Sequence, residues 1–328
     1  FDLFSVIAAQ INIFRVSMFF MSFFIKKGIA SPVLNYHISC HREGAQRLWR
    51  SLFQWRGSLR AFGPRDDMVK GGLLRPFGPR DDRIRVGGDY VDSRELLRVV
   101  FPDVEMEREL VPDIRYLREL RGLTLKEVPL KDEPVYYMYR SLYIDEDREI
   151  FEGNKIRHDI TVIPPKSIEG EFIKTAGHFH PLRNEKETYP EYYEVLKGEA
   201  LYLLQKNNGQ GDVEEVIFIK AQAGDKVFVP PNYGHITINC SEETLVMANL
   251  VEANFKSLYE PIAKKKGPAY FCIRANEGVE FIFNENYTNR VEPKVVSAQD
   301  WEDPIEVERG KRLYEMYVED PGLFEFLK

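Results

Sequence analysis

Two histidines separated by a single residue are the most chemically suggestive feature of the sequence. His178 and His180 lie in the segment EFIKTAGHFH, whose composition predicts a β-strand. Side chains at positions i and i+2 of a strand point to the same face, so the two imidazoles would project together. If buried, they need a shared polar partner, and a metal cation fits that need. A pair of surface histidines is the alternative, and His-x-His alone would favour it.

Three spaced motifs after the histidine pair weaken that alternative. They are Glu191-x6-Gly198, Gly224-x5-Pro230 and His235-x3-Asn239. Their order resembles the two-part signature of the cupin family, in which the first motif supplies two histidines and one glutamate and the second a third histidine. The resemblance implies one divalent metal ion with four protein ligands, His178, His180, Glu191 and His235. Three imidazoles and one carboxylate leave open positions on a six-coordinate metal, as a catalytic site requires.

The segment before Glu191 departs from the usual cupin pattern. It is longer than usual, which predicts an inserted loop, PLRNEKETYP. Three other carboxylates therefore compete for the ligand position: Glu185, Glu187 and Glu194. We favour Glu191 because it alone keeps six residues before Gly198. Asn232 occupies a position where cupins often have glycine, and asparagine also tolerates a positive φ angle.

A longer set of matches narrows the family. Residues 175–180 are TAGHFH, residues 191–198 are EYYEVLKG, and LYLLQ and VPP-x3-His follow. This pattern resembles the archaeal cupin-type glucose-6-phosphate isomerases over roughly residues 112–275. The resemblance implies a cytoplasmic homodimer that interconverts glucose 6-phosphate and fructose 6-phosphate in glycolysis and gluconeogenesis. It also implies one divalent metal per subunit, with Fe2+ expected and Mn2+, Zn2+ or Ni2+ as alternatives.

The same resemblance assigns roles to individual residues. Those implied to bind substrate are Thr161, Thr175, Gly177, Tyr193 and Tyr259. The two threonines and the glycine would contact the phosphate, since hydroxyls and a glycine amide donate hydrogen bonds without bulk. Tyr259 would lie near the sugar. Ser257 and Ile236 depart from the family, because many members have histidine and arginine at these positions.

Aldose–ketose isomerisation moves hydrogen between C1 and C2 of the sugar. Glu191 serves as the catalytic base in an enediolate route, or mainly as a metal ligand in a hydride-shift route. The sequence leaves both routes open. Two other functions also stay open: another cupin metalloenzyme, such as a dioxygenase, and a non-catalytic cupin that binds a sugar.

The elements that must position these residues are mostly short strands. From about residue 134, segments rich in Val, Ile, Tyr and Phe recur at close intervals, separated by Gly, Asn, Asp or Pro. This pattern predicts an all-β fold, a cupin double-stranded β-helix or jelly-roll barrel, whose metal-binding part spans residues 157–251. A few peripheral helices are expected from the helical spacing of SRELLRVV, PDIRYLREL and EVERGKRLYEMYV.

Charge is unevenly distributed along the 328 residues. Residues 1–88 carry 14 Lys and Arg against 6 Asp and Glu, so the net charge of −7 leaves −15 for residues 89–328. An acidic body argues against a nucleic-acid partner. Three cysteines at unrelated spacings give no disulfide framework, which favours the reducing cytoplasm.

The first 88 residues differ from the rest. Residues 1–25 are strongly apolar, but Asp2 and Arg15 interrupt them and argue against a membrane span. Residues 59–67 recur with one change at 74–82, and the isolated HISCH at 37–41 lacks a second pair of metal ligands. We therefore predict an N-terminal extension over residues 1–88 that need not belong to the native enzyme, with Met68 as a candidate start. Residues 89–328 are predicted to form a single cupin isomerase domain that has no membrane partner.

Overall fold

Short strands joined by tight turns make up most of the chain beyond residue 110. The computed structural model describes residues 83–86, 89–102, 110–276, 278–306 and 310–328, all within one unit formed by residues 77–328. The strands are, in chain order, β1 (Arg83–Val86), β2 (Asp89–Asp92), β3 (Asp113–Tyr116), β4 (Pro134–Tyr139), β5 (Ile156–Ile163), β6 (Ser167–Ile168), β7 (Glu171–Phe172), β8 (Glu191–Lys197), β9 (Glu199–Asn207), β10 (Val213–Gln222), β11 (Lys226–Val229), β12 (Tyr233–Ile238), β13 (Leu245–Glu252), β14 (Tyr270–Arg274), β15 (Val279–Phe283) and β16 (Lys294–Ser297). The α-helices are α1 (Ser93–Val100), α2 (Arg148–Asn154), α3 (Glu260–Lys264) and α4 (Leu313–Glu319).

Two sheets face each other and enclose the central core. The larger has six strands in the order β11-β8-β13-β5-β4-β3, and the smaller has four in the order β12-β9-β10-β16. Their pairs are antiparallel except β10 with β16. Side chains from both sheets, including Val195, Tyr202 and Ile217, pack into one buried cluster. The predicted all-β cupin fold, a jelly-roll barrel with a few peripheral helices, is confirmed.

Separate apolar layers cover the outer face of each sheet. Leu97 of α1, Phe151 of α2 and Tyr317 of α4 belong to one buried cluster with outward-facing residues of the larger sheet. On the smaller sheet, the ring of Phe218 stacks on Phe281 of β15 with centroids 4.0 Å apart. Both sheets are therefore covered by apolar side chains on two faces.

The barrel interior changes from apolar to polar along its length. Inward side chains of β5 run from Ile163 through Thr161 and Asp159 to Arg157, since alternate residues of a strand share a face. β5 and β8 both pair antiparallel with β13, so they run in the same direction. Glu191, the first residue of β8, therefore lies at the same end of the barrel as Arg157. One end of the barrel is therefore a packed core, and the other is a polar pocket.

Two turn positions of the barrel adopt the left-handed backbone expected from sequence. Gly198, between β8 and β9, has a φ of 79°, and a Cβ there would lie 2.9 Å from the Thr244 carbonyl oxygen. Asn232, between β11 and β12, has a φ of 72°. Its side-chain oxygen accepts the Thr188 N–H at 3.1 Å, which ties this turn to the inserted loop. The predicted hairpin glycine and the asparagine substitution are confirmed.

The helix predictions are only partly correct. SRELLRVV forms α1, as predicted. PDIRYLREL instead forms β3 and a 3-10 turn at Leu117–Leu120, because its backbone pairs with β4 at the edge of the larger sheet. The C-terminal helix begins only at Leu313, since Gly310 has a φ of 81° and Arg312 is extended. Glu315 accepts the Arg312 N–H at 3.1 Å and caps this shorter helix.

Several predictions fall outside the described residues. These are the apolar segment 1–25, the repeat at 59–67 and 74–82, the group at 37–41, the start at Met68 and most of the extension 1–88. β1 and β2, which lie on either side of the predicted boundary in the sequence, pair in antiparallel fashion. No helix in the described part of the chain has the length and hydropathy needed to cross a bilayer.

Candidate metal centre

Isolated backbone bridges, rather than a regular strand, hold the histidine pair. His178 pairs with His235 of β12 through hydrogen bonds of 3.3 and 3.0 Å, and Phe179 pairs with Leu258. Gly177, with a φ of 76°, interrupts the extended segment just before the pair. The strand predicted for EFIKTAGHFH is therefore wrong for most of its length, yet the bridges still direct both imidazoles inward.

Two barrel strands supply the other two members of the group. Glu191 is the first residue of β8 and lies opposite Val229, the last residue of β11. His235 lies on β12 opposite Leu204 of β9, one residue after Gly234. The two sheets therefore contribute one residue each, and the bridged segment brings the histidine pair between them.

The four predicted ligands converge at the polar end of the barrel. One ligand atom from each of His178, His180, Glu191 and His235 lies within 4.8 Å of all the others. Oε2 of Glu191 is 3.0 Å from Nε2 of His235 and 3.3 Å from Nε2 of His180. The Nε2 atoms of His180 and His178 are 3.2 Å apart. Three of the residues are buried, and His178 is half-buried where the pocket opens.

A backbone carbonyl fixes the orientation of His180. Its Nδ1 lies 2.8 Å from the Tyr189 carbonyl oxygen, which can only accept a hydrogen bond. Nδ1 therefore carries a proton, and Nε2 is directed into the site. The ring of Phe255 covers the imidazole with centroids 4.4 Å apart and excludes water from that side.

Burial and the neighbouring groups shift the pKa values of His178, His235 and Glu191. Burial lowers the pKa of His178 well below its ordinary value, and the neighbouring His235 and His180 lower it further. Burial also lowers the pKa of His235. Burial opposes ionisation of Glu191, but the adjacent imidazoles of His180 and His235 outweigh it and hold the pKa of this carboxyl well below its usual range. Neutral imidazoles and an ionised carboxylate are the forms that metal ligands require.

The site leaves polar atoms that a cation would satisfy. Oε2 of Glu191 and Nε2 of His235 are buried and make no well-formed hydrogen bond. Buried polar atoms without partners are costly and rare in native proteins. A divalent ion bound by three imidazoles and one carboxylate would satisfy them, and this donor set suits Fe, Mn, Zn or Ni. The group can hold a metal.

The rival carboxylates point elsewhere. Glu194 accepts the Leu313 N–H at 2.7 Å on the outer face of β8 and lies 3.9 Å from Lys226. The side chain of Glu187 is 47% exposed and bonds to Arg183 at 3.0 Å, and Glu185 is exposed. Glu191 is thus the carboxylate among these that faces the histidines.

A pocket leads from the surface to the group. Its lining includes all five residues that the sequence analysis assigned to substrate: Thr161, Thr175, Gly177, Tyr193 and Tyr259. Oγ1 of Thr175 accepts the Thr237 N–H at 3.0 Å, so this hydroxyl keeps its own proton free to donate. A Cβ on Gly177 would lie 2.5 Å from Ile236, so only glycine fits at this bend.

Each of the two tyrosines lies near a different histidine of the group. The ring of Tyr193 lies 5.9 Å from that of His235, and burial raises the pKa of its hydroxyl well above the ordinary value. Tyr259 is 40% exposed, with its ring 5.4 Å from that of His178. Of the two departures from the family, Ser257 lines the pocket. Ile236 faces away into an outer apolar cluster, so it does not alter the pocket.

Sequence reasoning missed several polar residues of the pocket wall. They include Tyr136, Arg140, Arg157 and Asn249. The hydroxyl of Tyr136 accepts the Ala176 N–H at 3.1 Å beside the Thr175–Gly177 bend. The sequence did contain a pattern that could have identified Arg157. Arg157 and Asp159 alternate with Thr161, so all three lie on the same face of one strand.

The chain is similar in sequence to known proteins. A family model for glucose-6-phosphate isomerase (GPI) matches residues 115–290. A glucose-6-phosphate isomerase of Pyrococcus horikoshii is 30% identical over 181 residues, which are 54% of this chain and 88% of that protein. The protein of the same name from Thermococcus kodakarensis is 29% identical over 201 residues, which are 59% of this chain and 98% of that protein. The chain therefore belongs to the glucose-6-phosphate isomerase family.

Proposed function

We propose that the protein is a metal-dependent aldose–ketose isomerase that interconverts glucose 6-phosphate and fructose 6-phosphate. The observation that carries the proposal is the convergence of three imidazoles and one carboxylate within 4.8 Å at the inner end of a polar pocket. Family membership over residues 115–290 supports the same reaction. The proposed metal ligands are His178, His180, Glu191 and His235.

The pocket offers donors for both ends of the substrate. Thr161, Thr175 and Gly177 are proposed to bind the phosphate. Among the described residues no partner takes the Gly177 N–H, which supports this role. Tyr193 and Tyr259 are proposed to contact the sugar next to the histidines. Such contacts at the non-reacting phosphate hold C1 and C2 against the catalytic group.

Glu191 is the proposed catalytic residue. A bound divalent ion would act as a Lewis acid and stabilise negative charge on the substrate oxygens. In the enediolate route, the ionised carboxylate takes the proton from C2 of glucose 6-phosphate and returns it to C1. In the hydride-shift route, Glu191 serves only as a ligand. Solvent deuterium that enters the product during turnover supports the first route, and its absence favours the second.

A coupled assay with fructose 6-phosphate tests the function. We expect turnover that stops after chelation and returns when a divalent metal is added. 5-Phosphoarabinonate, a mimic of the enediolate, should raise the melting temperature of the metal-loaded protein. An oxygen requirement with no affinity for sugar phosphates would indicate a dioxygenase. Sugar binding without turnover would indicate a non-catalytic cupin.

Substitutions of the ligands test the site. His178→Ala and His235→Ala should each lose metal and activity together while the fold is retained, because the apolar core between the sheets lies at the other end of the barrel. Glu187→Gln, a change in an exposed carboxylate of the inserted loop, is the matched control for Glu191→Gln. Retained activity in either histidine variant would contradict the assignment.

Several finer features belong to the same proposal. Fe2+ is the proposed metal, with Mn2+, Zn2+ and Ni2+ as alternatives that reconstitution of the chelated protein would rank. The resemblance in sequence supports a homodimer in the cytoplasm, which light scattering and fractionation would test. We also propose that residues 89–328 suffice as the isomerase domain. A chain that begins at residue 89 should then keep full activity.

A further inference from the structure

A buried carboxylate holds two arginines at the wall of the pocket. The side chain of Asp159 is fully buried, and its Oδ2 accepts hydrogen bonds from Nη1 of Arg140 and Nε of Arg157, both at 2.7 Å. Its Oδ1 accepts the Ser141 N–H at 2.9 Å. Charge-assisted bonds of this kind are short and directional, so both guanidinium groups are fixed in place.

The register of the larger sheet places Arg157 level with the metal centre. On one side of β13, Val251 pairs with Arg157 of β5. On the other side, Leu250 pairs with Tyr192 of β8, so the next position brings Val251 opposite Glu191. Arg157 and Glu191 are thus two strands apart in one row, about 9.6 Å between backbones. Thr161 lies four residues further along β5, roughly 13 Å from Arg157. The arginine therefore faces the end of the pocket where C1 and C2 would lie, away from the proposed phosphate contacts.

The two arginines differ in how their charges are paired. Arg140 also lies near a second acid, with its Nε 3.8 Å from Oδ2 of Asp113, whereas Asp159 is the acid paired with Arg157 among the described residues. Arg157 uses Nε for this contact, and its two terminal nitrogens have no partner among the described residues. Its side chain is 24% exposed and lines the pocket. An arginine that only stabilises the sheet would have its N–H donors satisfied by protein groups. Arg157 instead presents its two terminal nitrogens, without partners in the described part of the chain, to the pocket.

We infer that Arg157, positioned by Asp159 and Arg140, binds the negative charge of the substrate at its C1–C2 end. This inference rests on the proposed isomerase function and adds a residue that selects for ligands with an anionic group at that end. In the enediolate route the arginine stabilises charge that develops as the C2 proton leaves. It contacts the reacting part of the ligand, whereas Asp159 acts only through it.

Two ligands that differ at one end isolate this contact. 5-Phosphoarabinonate carries a carboxylate where arabinitol 5-phosphate carries a neutral alcohol, and both keep the phosphate. Arg157→Met should weaken binding of the acid by about tenfold to 100-fold, the range of a charge-assisted hydrogen bond. Binding of the alcohol should change less than about threefold. Equal losses for both ligands, or no loss for either, would overturn the inference.

Further variants separate charge from shape. Arg157→Lys should restore part of the affinity for the acid, and Arg148→Met, an exposed arginine of α2, should match the parent protein. In turnover, Arg157→Met should lower kcat more than it raises KM, because the charge grows in the transition state. A change in KM alone would contradict that. Asp159→Asn should show the same selective loss for the acid, since Arg157 would lose its anchor.

The outcomes distinguish failure of the inference from failure of the proposed function. If the parent protein isomerises fructose 6-phosphate and Arg157→Met does so equally well, the role of Arg157 is refuted and the isomerase stands. If the metal-loaded parent neither turns over fructose 6-phosphate nor binds 5-phosphoarabinonate, both proposals fall together.

Discussion

A single methyl group at Gly234 should disturb the metal centre without touching a ligand. Gly234 precedes His235 on β12, and its hydrogen faces the ring of Phe179, the residue between the two bridged histidines. A Cβ at this position would lie 2.4, 2.5 and 2.7 Å from three atoms of that ring. Contacts this short do not occur, so the ring must move.

The cost follows from how firmly Phe179 is held. Its backbone pairs with Leu258 through hydrogen bonds of 2.9 and 2.7 Å, so the ring cannot retreat without disturbing the bridge. Overpacking of this kind lowers the free energy of unfolding by about 1–3 kcal/mol. For a domain of this size that lowers Tm by about 2–12 °C. Because His178 and His180 flank the ring, metal affinity should fall by about tenfold to 100-fold, the range for changes just outside a ligand shell.

The assay measures metal content, Tm and turnover of fructose 6-phosphate for Gly234→Ala. Gly209→Ala is the matched control, because a Cβ on Gly209 meets nothing within 4 Å. The control should equal the parent protein in all three measurements. A Gly234→Ala protein with parental metal affinity and Tm would refute the packing that we describe around the histidine pair.

Three further predictions concern the ligands and the turn beside them. Glu191→Gln should lose the metal, which metal analysis would show. Glu194→Gln should keep the metal and lose only stability towards urea. Equal metal contents in the two variants would contradict this prediction. Because burial lowers the pKa of His178 well below its ordinary value of about 6.5, protons compete with the metal only at lower pH, so occupancy should stay constant from pH 8 through about pH 6.5 and fall only well below it. A steep loss above pH 7 would oppose it. Asn232→Ala should lower the free energy of unfolding by about 1–2 kcal/mol, and Asn232→Gly should lower it less, since glycine adopts the positive φ without strain. The reverse order in unfolding experiments would be inconsistent with this turn.

The sequence predicted the barrel because its signals are local. Alternating apolar residues, turn glycines such as Gly198 and the spacing of Glu191 act within a few positions of the chain. The same spacing singled out the carboxylate that faces the histidines, and the rivals lie outside the pocket. The phosphate and sugar contacts stay predictions, although all five residues line the pocket.

Other features depend on contacts that no local pattern contains. Residues 113–116 have helical spacing, yet pairing with β4 makes them a strand. The histidine segment is held by single bridges because Gly177 adopts a positive φ and breaks the ladder. The Asp159 cluster joins β5 to the end of β4 across the sheet, so its arginines are recognisable only once that register is known.

X-ray absorption spectroscopy at the metal edge, combined with metal analysis of the purified protein, tests the central claim most directly. We expect one divalent ion per chain, surrounded by three imidazole nitrogens and at least one carboxylate oxygen, and a changed shell in His235→Ala. A protein that binds no ion when metal is supplied, or a shell that contains sulfur and fewer than three imidazoles, would contradict it.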